Sequence, residues 1–394
     1  MMLSKDYKRI LLTAIIPIVF WNFYWYVGFN SNITKLIVFI FGLFFTMKYS
    51  PEILRGLRIK QNNQPFIKHI SLFLLVVLIS IFNAYVYWDQ SPDLTFRSGV
   101  SIFVFVSYYY FQKNNLQKNV LETTIFILAG IYLVLWLYAL SQAPTVVFGN
   151  LEAVQDDRGY YRILQLAGLD TVVFLYFYSI THISMLTGWK KILSGLTIAV
   201  CAVAIFLTLT RIVIIAVFAL TILFIVRKKS IWVILTTLVI AFIGSHYIFS
   251  SEIVDSLFNL TNESSMSDLR APEYQMAFEL YPFHIGTFLF GNGSEHIASA
   301  YGQMEAHLKS AYAFNRSDAG FIGVYVTYGV IGLVLLLSIL LQVMRYRVSD
   351  DNYYLKLVVY FIFFVNITAY HFSDYGFTLM ASLYLLSINN KKHV

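Results

Sequence analysis

Long apolar runs separated by short polar stretches recur along the whole chain. They predict helices crossing a membrane near residues 9–28, 34–48, 69–88, 96–111, 120–141, 166–186, 192–209, 211–226, 230–249, 319–343, 355–371 and 375–388. Runs of this length suit helical spans and are too long for barrel strands. Inside lipid each span must satisfy its own backbone polar groups, which a helix does. The pattern therefore predicts an all-α polytopic membrane protein, one integral domain over residues 1–394 with about twelve transmembrane helices. Residues 8–29 begin basic and turn apolar without a small-residue cleavage signature, so they read as an uncleaved first span. No solenoid repeat, low-complexity tract or soluble domain is visible.

Composition agrees with this pattern. Apolar residues make up 58% of the 394 residues and charged residues 12%, and the mean hydropathy of +0.68 lies far from that of a water-soluble domain. Of the 28 Lys and Arg, eight fall on or near the predicted outer side: Lys35, Arg97, Arg158, Arg162, Arg211, Arg270, Lys309 and Arg316. The other 20 fall in segments that face inward if the N-terminus does. The positive-inside rule then places both termini in the cytoplasm, and an even number of spans closes the topology. This distribution gives the net charge of +7 a membrane meaning, and no nucleic-acid partner is expected. Trp21, Trp25 and Trp88 fall near outer span ends, where an interfacial aromatic belt would sit. The single cysteine, Cys201, lies in an apolar stretch, so neither a disulfide nor a thiolate metal site is expected outside.

Two outward segments exceed turn length, residues 142–165 and 250–318, and loops this long are usually functional or disordered. In the second, Leu269, Met276, Ala277 and Leu280 recur at helical spacing before the turn-rich Gly291-Asn292-Gly293-Ser294, which predicts short amphipathic helices on the membrane surface. Gly291 and Gly293 suit a plain turn better than an anion cradle. Six of the eight outer cations are arginine, whose planar fork suits a diphosphate. Each arginine has an alternative reading as the partner of one of the many outer carboxylates.

Arg158 and Arg162, in Asp156-Asp157-Arg158-Gly159-Tyr160-Tyr161-Arg162, would share one face of a helix. There they repel unless an anion or one of the aspartates lies between them, and Gly159 weakens the helix reading. Anion clamp and local ion pairs both remain open. Arg211 ends an outward run, where it either snorkels or meets an anion, and the intramembrane Asp170 calls for a cationic partner such as one of these arginines. His284, His296 and His307 are candidate general bases, and their wide spacing matches no helical metal pair.

Residues 208–229, an outward Thr208-Leu209-Thr210-Arg211 leading into a span that ends in Arg227-Lys228-Lys229, resemble a motif of the bacterial O-antigen polymerase and O-antigen ligase superfamily. Downstream, Leu269-Arg270, Gly291-Asn292-Gly293, Asp318-Ala319-Gly320 and Tyr328-Gly329-Val330-Ile331-Gly332 follow the order seen there. The detailed likeness covers the second half of the chain. It implies a glycosyltransferase of the GT-C type, without cofactor or metal, at the bacterial inner membrane. Its donor and acceptor would be undecaprenyl-diphosphate-linked oligosaccharides, with the lipid bilayer and a chain-length regulator as further partners.

In that setting Arg211 and Arg270, with one or both of Arg158 and Arg162, would hold the donor diphosphate and stabilise the charge developing on it. Ligases carry a His where this chain has Asp318, which favours a polymerase and makes Asp318 the candidate acceptor base, with His284, His296 and His307 in reserve. Arg316 would keep Asp318 ionised if the two met, and Tyr160, Tyr161 and Tyr312 suit stacking on sugar faces. The competing class is a transporter, a flippase for the same lipid-linked sugar. It would place charges and broken helices near the midplane between repeated halves, whereas here polar residues gather at the outer surface.

Overall fold

The computed structural model describes residues 2–58, 65–149, 154–157, 160–163, 166–208, 210–228, 281, 283–312, 316 and 319–390. It is nearly all helical. In chain order come α1 (Met2–Phe20), α2 (Ser31–Arg58), α3 (Ile67–Trp88), α4 (Pro92–Gly99), α5 (Ser107–Lys113) and α6 (Lys118–Gln142). A hairpin of β1 (Val154–Asp157) and β2 (Tyr160–Ile163) follows, then α7 (Leu169–His182), α8 (Gly188–Leu207) and α9 (Arg211–Lys228). The last third holds α10 (Ile285–Phe290), α11 (Ala300–Tyr312), α12 (Phe321–Arg345), α13 (Tyr353–Val365) and α14 (Gly376–Asn390). A buried 3₁₀ stretch, Val100–Val106, joins α4 to α5 in one helical path. Among the described residues α2, α3, α6, α8 and α12 are long and apolar enough to cross a membrane. Every expected span coincides with helical residues except 230–249, which lies outside the described residues.

One end of the bundle is basic. There Lys113 meets Glu52 at 2.6 Å, Arg227 meets Asp350 at 3.3 Å, and Lys118 donates to Asn352 Oδ1 at 2.6 Å. Lys356 Nζ donates to the carbonyls of Met344 and Tyr346, both at 3.0 Å, and so satisfies the otherwise orphaned C-terminus of α12. The opposite, loop end is tied by backbone bonds from Val27 to Val147 and from Gly149 to Trp25, and by Trp21 Nε1 donating to the Asp374 carbonyl at 2.9 Å.

Burial separates inner from outer helices. α13 and α14 bury nearly every described side chain, from Leu355 through Val365 and from Phe377 through Leu386. The outer helices expose apolar side chains instead: Leu36, Ile40 and Phe44 on α2, Leu196, Val200 and Val203 on α8, Ile215 and Phe218 on α9. That inversion is what a hydrocarbon solvent permits. With 13 residues, α13 rises only about 20 Å, short of a hydrocarbon layer of about 30 Å. The turn after it buries Asn366 and Phe372 fully.

Several expectations are corrected. The first helix stops at Phe20, because Asn22, Phe23, Tyr24 and Trp25 all adopt positive φ, a left-handed turn that reverses the chain inside the apolar run. Such a turn costs about 1–2 kcal/mol per residue. Burial of Tyr24 and the Trp21 bond hold it in place. Trp21 is therefore a buried anchor and not part of an aromatic belt, and Trp88 is half-buried against Tyr301.

The shared helical face of Arg158 and Arg162 is not formed, because this segment is the chain's small exception to an all-α fold. Its strands pair antiparallel in register Gln155↔Arg162, Asp156↔Tyr161 and Asp157↔Tyr160, with two residues between the last pair. The Tyr-Tyr-x-Ile sequence favours a strand, and Gly159 between the strands suits a two-residue connection.

Candidate functional site

The site begins with a broken helix. In α12, Gly329 adopts φ 70°, ψ −178°, which interrupts the hydrogen-bond ladder that would cover the carbonyls of Val326 and Thr327. Asn292 N donates to the Val326 carbonyl at 2.9 Å and Gly293 N to the Thr327 carbonyl at 3.0 Å, with Asn292 Nδ2 adding a second bond to Val326 at 3.0 Å. The two glycine motifs are thus halves of one joint. A Cβ on Gly291 would lie 2.1 Å from the Thr327 oxygen, and one on Gly329 would lie 2.3 Å from the Leu289 backbone. Because the N–H groups of Asn292 and Gly293 are taken by α12, this segment is neither a free turn nor an anion cradle.

Amides on the preceding helices hold the same segment. Asn83 Nδ2 donates to the carbonyls of Gly286 and Gly291, both at 2.9 Å, and Trp88 Nε1 donates to Asn292 Oδ1 at 2.9 Å. The fully buried Gln90 uses every hydrogen-bonding position: its Nε2 donates to Thr95 Oγ1 and the Ser294 carbonyl, and its Oε1 accepts from His296 N and Ser299 Oγ. Nothing in the residue pattern marked Asn83 or Gln90, because a single amide near a span end carries no periodic signal.

Arg316 lies inside this scaffold, 6% exposed. Its guanidinium meets Glu295 Oε2 at 2.9 Å and Glu305 Oε1 in a tight pair, and donates to the Gly293 carbonyl at 3.0 Å and to Tyr301 OH at 2.7 Å. Glu305 comes from the inner stripe of α11, Tyr301, Glu305 and Leu308, at i, i+4, i+7 spacing. Tyr281 OH also donates to Glu305, and Trp88 stacks on Tyr301 with ring centroids 4.6 Å apart. Burial works against the Arg316 charge, but Glu295, Tyr301 and Glu305 outweigh it and raise its pKa well above the usual arginine value. Burial pushes the Tyr301 hydroxyl up to about 12. One cation between two carboxylates leaves this cluster an excess negative charge when both are ionised.

Beside the cluster opens a cavity of about 200 Å³ lined by Ser98, Gly99, Ser101, Ser294, Glu295, Arg316, Thr327, Tyr328, Tyr370 and Ser373. Hydroxyl groups dominate its wall, and Tyr370 OH donates to Tyr328 OH at 3.0 Å. Tyr328 stands about 10 Å along α12, so the cavity reaches below the loop end. The turn after α13 supplies its far side.

The structure brings together only part of the expected set. Asp318, Arg270 and Arg158 lie outside the described residues, as does the expected helix at 269–280. Of Arg162 and Tyr160 only the place in β2 is described, and of Tyr312 only its place at the end of α11. Tyr161 is exposed on β2. Arg211 begins α9 and is exposed at the loop end, about 24 Å along the helix from the Arg227–Asp350 pair, and it does not line the cavity. Arg97 pairs locally with Asp93 at 3.5 Å. Asp170 is fully buried near Tyr24, Tyr132 and Tyr375, with no described arginine beside it.

The three loop histidines do not converge. His284 stacks on Tyr87 at 4.6 Å, His296 accepts from Ala298 N at 3.2 Å, and His307 is exposed on α11. A fourth, His371, places Nδ1 3.0 Å from Asp374 Oδ2 in the turn after α13. The apolar run over 355–371 concealed it as the last residue of a span.

Among curated proteins none matches the chain. Residues 196–337, about a third of the chain, match the family model described as O-Antigen ligase. The matched stretch runs from α8 through the Gly291-Asn292-Gly293 joint into α12, and it supports a membrane protein of the O-antigen ligase and polymerase kind.

Proposed function

We propose that this chain is a glycosyltransferase of the inner membrane. On the periplasmic side it would move a glycan from undecaprenyl diphosphate to a sugar hydroxyl of another lipid-linked repeat unit, as an O-antigen polymerase does. The observation that carries this reading is the hydroxyl-lined cavity beside Arg316 and Glu295 at the loop end of a bundle of apolar helices. Serine, threonine and tyrosine hydroxyls with one carboxylate suit a neutral sugar, which offers many donors and acceptors at close spacing. The excess negative charge of the Arg316 cluster disfavours a diphosphate there. Arg316 therefore acts as the tie between Glu295 and Glu305, in place of the diphosphate contact expected of it.

The diphosphate falls to Arg211 and Arg270, with Arg158 and Arg162 from the hairpin segment. They would stabilise the negative charge that grows on the leaving diphosphate as the glycosidic bond opens. Asp318 in place of the ligase histidine favours the polymerase within this family. The break in α12 is a feature a flippase would share. Here, however, Asn292 and Gly293 take the freed carbonyls, so they are not left open to a transported substrate.

Reconstitution with a lipid-linked repeat unit alone separates the readings. A polymerase lengthens it into a ladder, a ligase transfers only when given a second acceptor, and a flippase relocates it unchanged. Arg211→Ala is expected to insert normally and lose at least about 100-fold in elongation rate. A normal ladder from that variant removes Arg211 from the diphosphate site.

A further inference from the structure

We infer that His371, oriented by Asp374, is the base that takes the proton from the acceptor sugar hydroxyl; the inference rests on the glycosyl-transfer reading above. Glycosyl transfer to a hydroxyl needs a proton acceptor near the attacking oxygen, and an imidazole suits that task near neutral pH. Among the described residues His371 is the histidine whose ring meets a carboxylate, with Nδ1 3.0 Å from Asp374 Oδ2. With the proton on Nδ1 and shared with Asp374, Nε2 carries the lone pair, and the carboxylate stabilises the imidazolium that forms. Among the described residues His284, His296 and His307 have no such partner.

The pair stands on a fixed platform. The backbone N–H of His371 donates to the side-chain oxygen of the fully buried Asn366 at 2.8 Å, and the Asp374 carbonyl accepts from Trp21 Nε1 at 2.9 Å. Immediately before His371, Tyr370 is bonded to Tyr328; two residues after it comes Ser373; and Tyr370 and Ser373 both line the hydroxyl-rich cavity. His371 does not itself line the cavity; it lies in the chain between two residues that do and is partly exposed, so the acceptor hydroxyl it would serve is one leaving the cavity past Tyr370 and Ser373. A local surface bond between neighbours needs no such anchoring from α1 and α13.

In the step itself the hydroxyl proton passes to His371 Nε2 while the acceptor oxygen bonds to the anomeric carbon of the donor. The bond from that carbon to the diphosphate oxygen breaks, its electron pair leaves with the lipid diphosphate, and the imidazolium later returns its proton to water.

The test uses the full chain in liposomes with a lipid-linked repeat unit, comparing wild type, His371→Ala, Asp374→Asn and Asp318→Asn. The expected result is a loss of roughly 10²–10⁴-fold in elongation rate for His371→Ala. Added imidazole should restore part of that rate, and Asp374→Asn should fall between wild type and His371→Ala. Elongation by His371→Ala at the wild-type rate overturns the assignment, as does a loss that imidazole leaves untouched while Asp318→Asn is inactive. Failure of the wild-type protein to transfer sugar to any hydroxyl acceptor overturns the glycosyl-transfer reading along with it. Wild-type elongation with an active His371→Ala overturns the base alone.

Discussion

At the scale of single residues, Arg316 shows how a residue type can be legible while its work is not. The sequence marked it as an arginine on an acidic face, suited to an anion. In the fold it is enclosed by Glu295 and Glu305, so its counter-charges are already present. Removing one partner of a buried ion pair leaves the other charged and desolvated, at a cost of about 3–5 kcal/mol. Arg316→Met should therefore lower the thermal unfolding midpoint of the detergent-solubilised protein by an amount equivalent to about 3 kcal/mol or more. Glu295 is 37% exposed, so water screens it, and Glu295→Gln should cost no more than about 1 kcal/mol. Equal effects from the two would mean that Arg316 is held by something other than Glu305. His371 is the reverse case: the residue was hidden in an apolar run, and only its contact with Asp374 makes it a candidate.

At the scale of elements, the joint between Gly291-Asn292-Gly293 and the break in α12 positions the site. Both glycine motifs were readable, but a chain pattern cannot show that one supplies the hydrogen bonds the other lacks. Gly329 sits at φ 70° with no room for a Cβ. Gly329→Ala adds backbone strain of about 1–3 kcal/mol to a clash with Leu289. It should lower the unfolding midpoint and abolish elongation together, whereas Gly130→Ala, inside α6 with open space around it, should lower neither. A Gly329→Ala protein with wild-type midpoint would show that the break in α12 is not needed. For the segment around Arg158 and Arg162 the residue pattern left the helix weakened by Gly159 and named no alternative, and the strands β1 and β2 pair there instead.

At the scale of the whole molecule, the alternation of basic and acidic segments predicts that the loop end faces outward, and cysteine labelling can test it. Cys201 is buried and is the chain's single cysteine, so it gives little background. A membrane-impermeant thiol reagent added to intact spheroplasts should modify Ser310→Cys on α11 but not Ser349→Cys at the basic end, both positions being exposed. Labelling in the opposite order would invert the topology and move the cavity to the cytoplasm.

The sequence by itself determined the membrane environment, the helical class and the approximate positions of the described spans, and it predicts an outward gathering of arginines. These follow from local composition: a span must be apolar over its own length, and charge near its ends records its orientation. Tertiary structure alone decided that α1 ends in a left-handed turn, that the glycine motifs form one joint, that Arg316 is tied between two carboxylates, and that the turn carrying His371 and Asp374 is anchored to Trp21. Each of these depends on groups far apart in sequence, such as Trp21 with Asp374 or Asn292 with Val326. Their hydrogen bonds are chosen by what must be satisfied once water is excluded, and no periodicity along the chain encodes that.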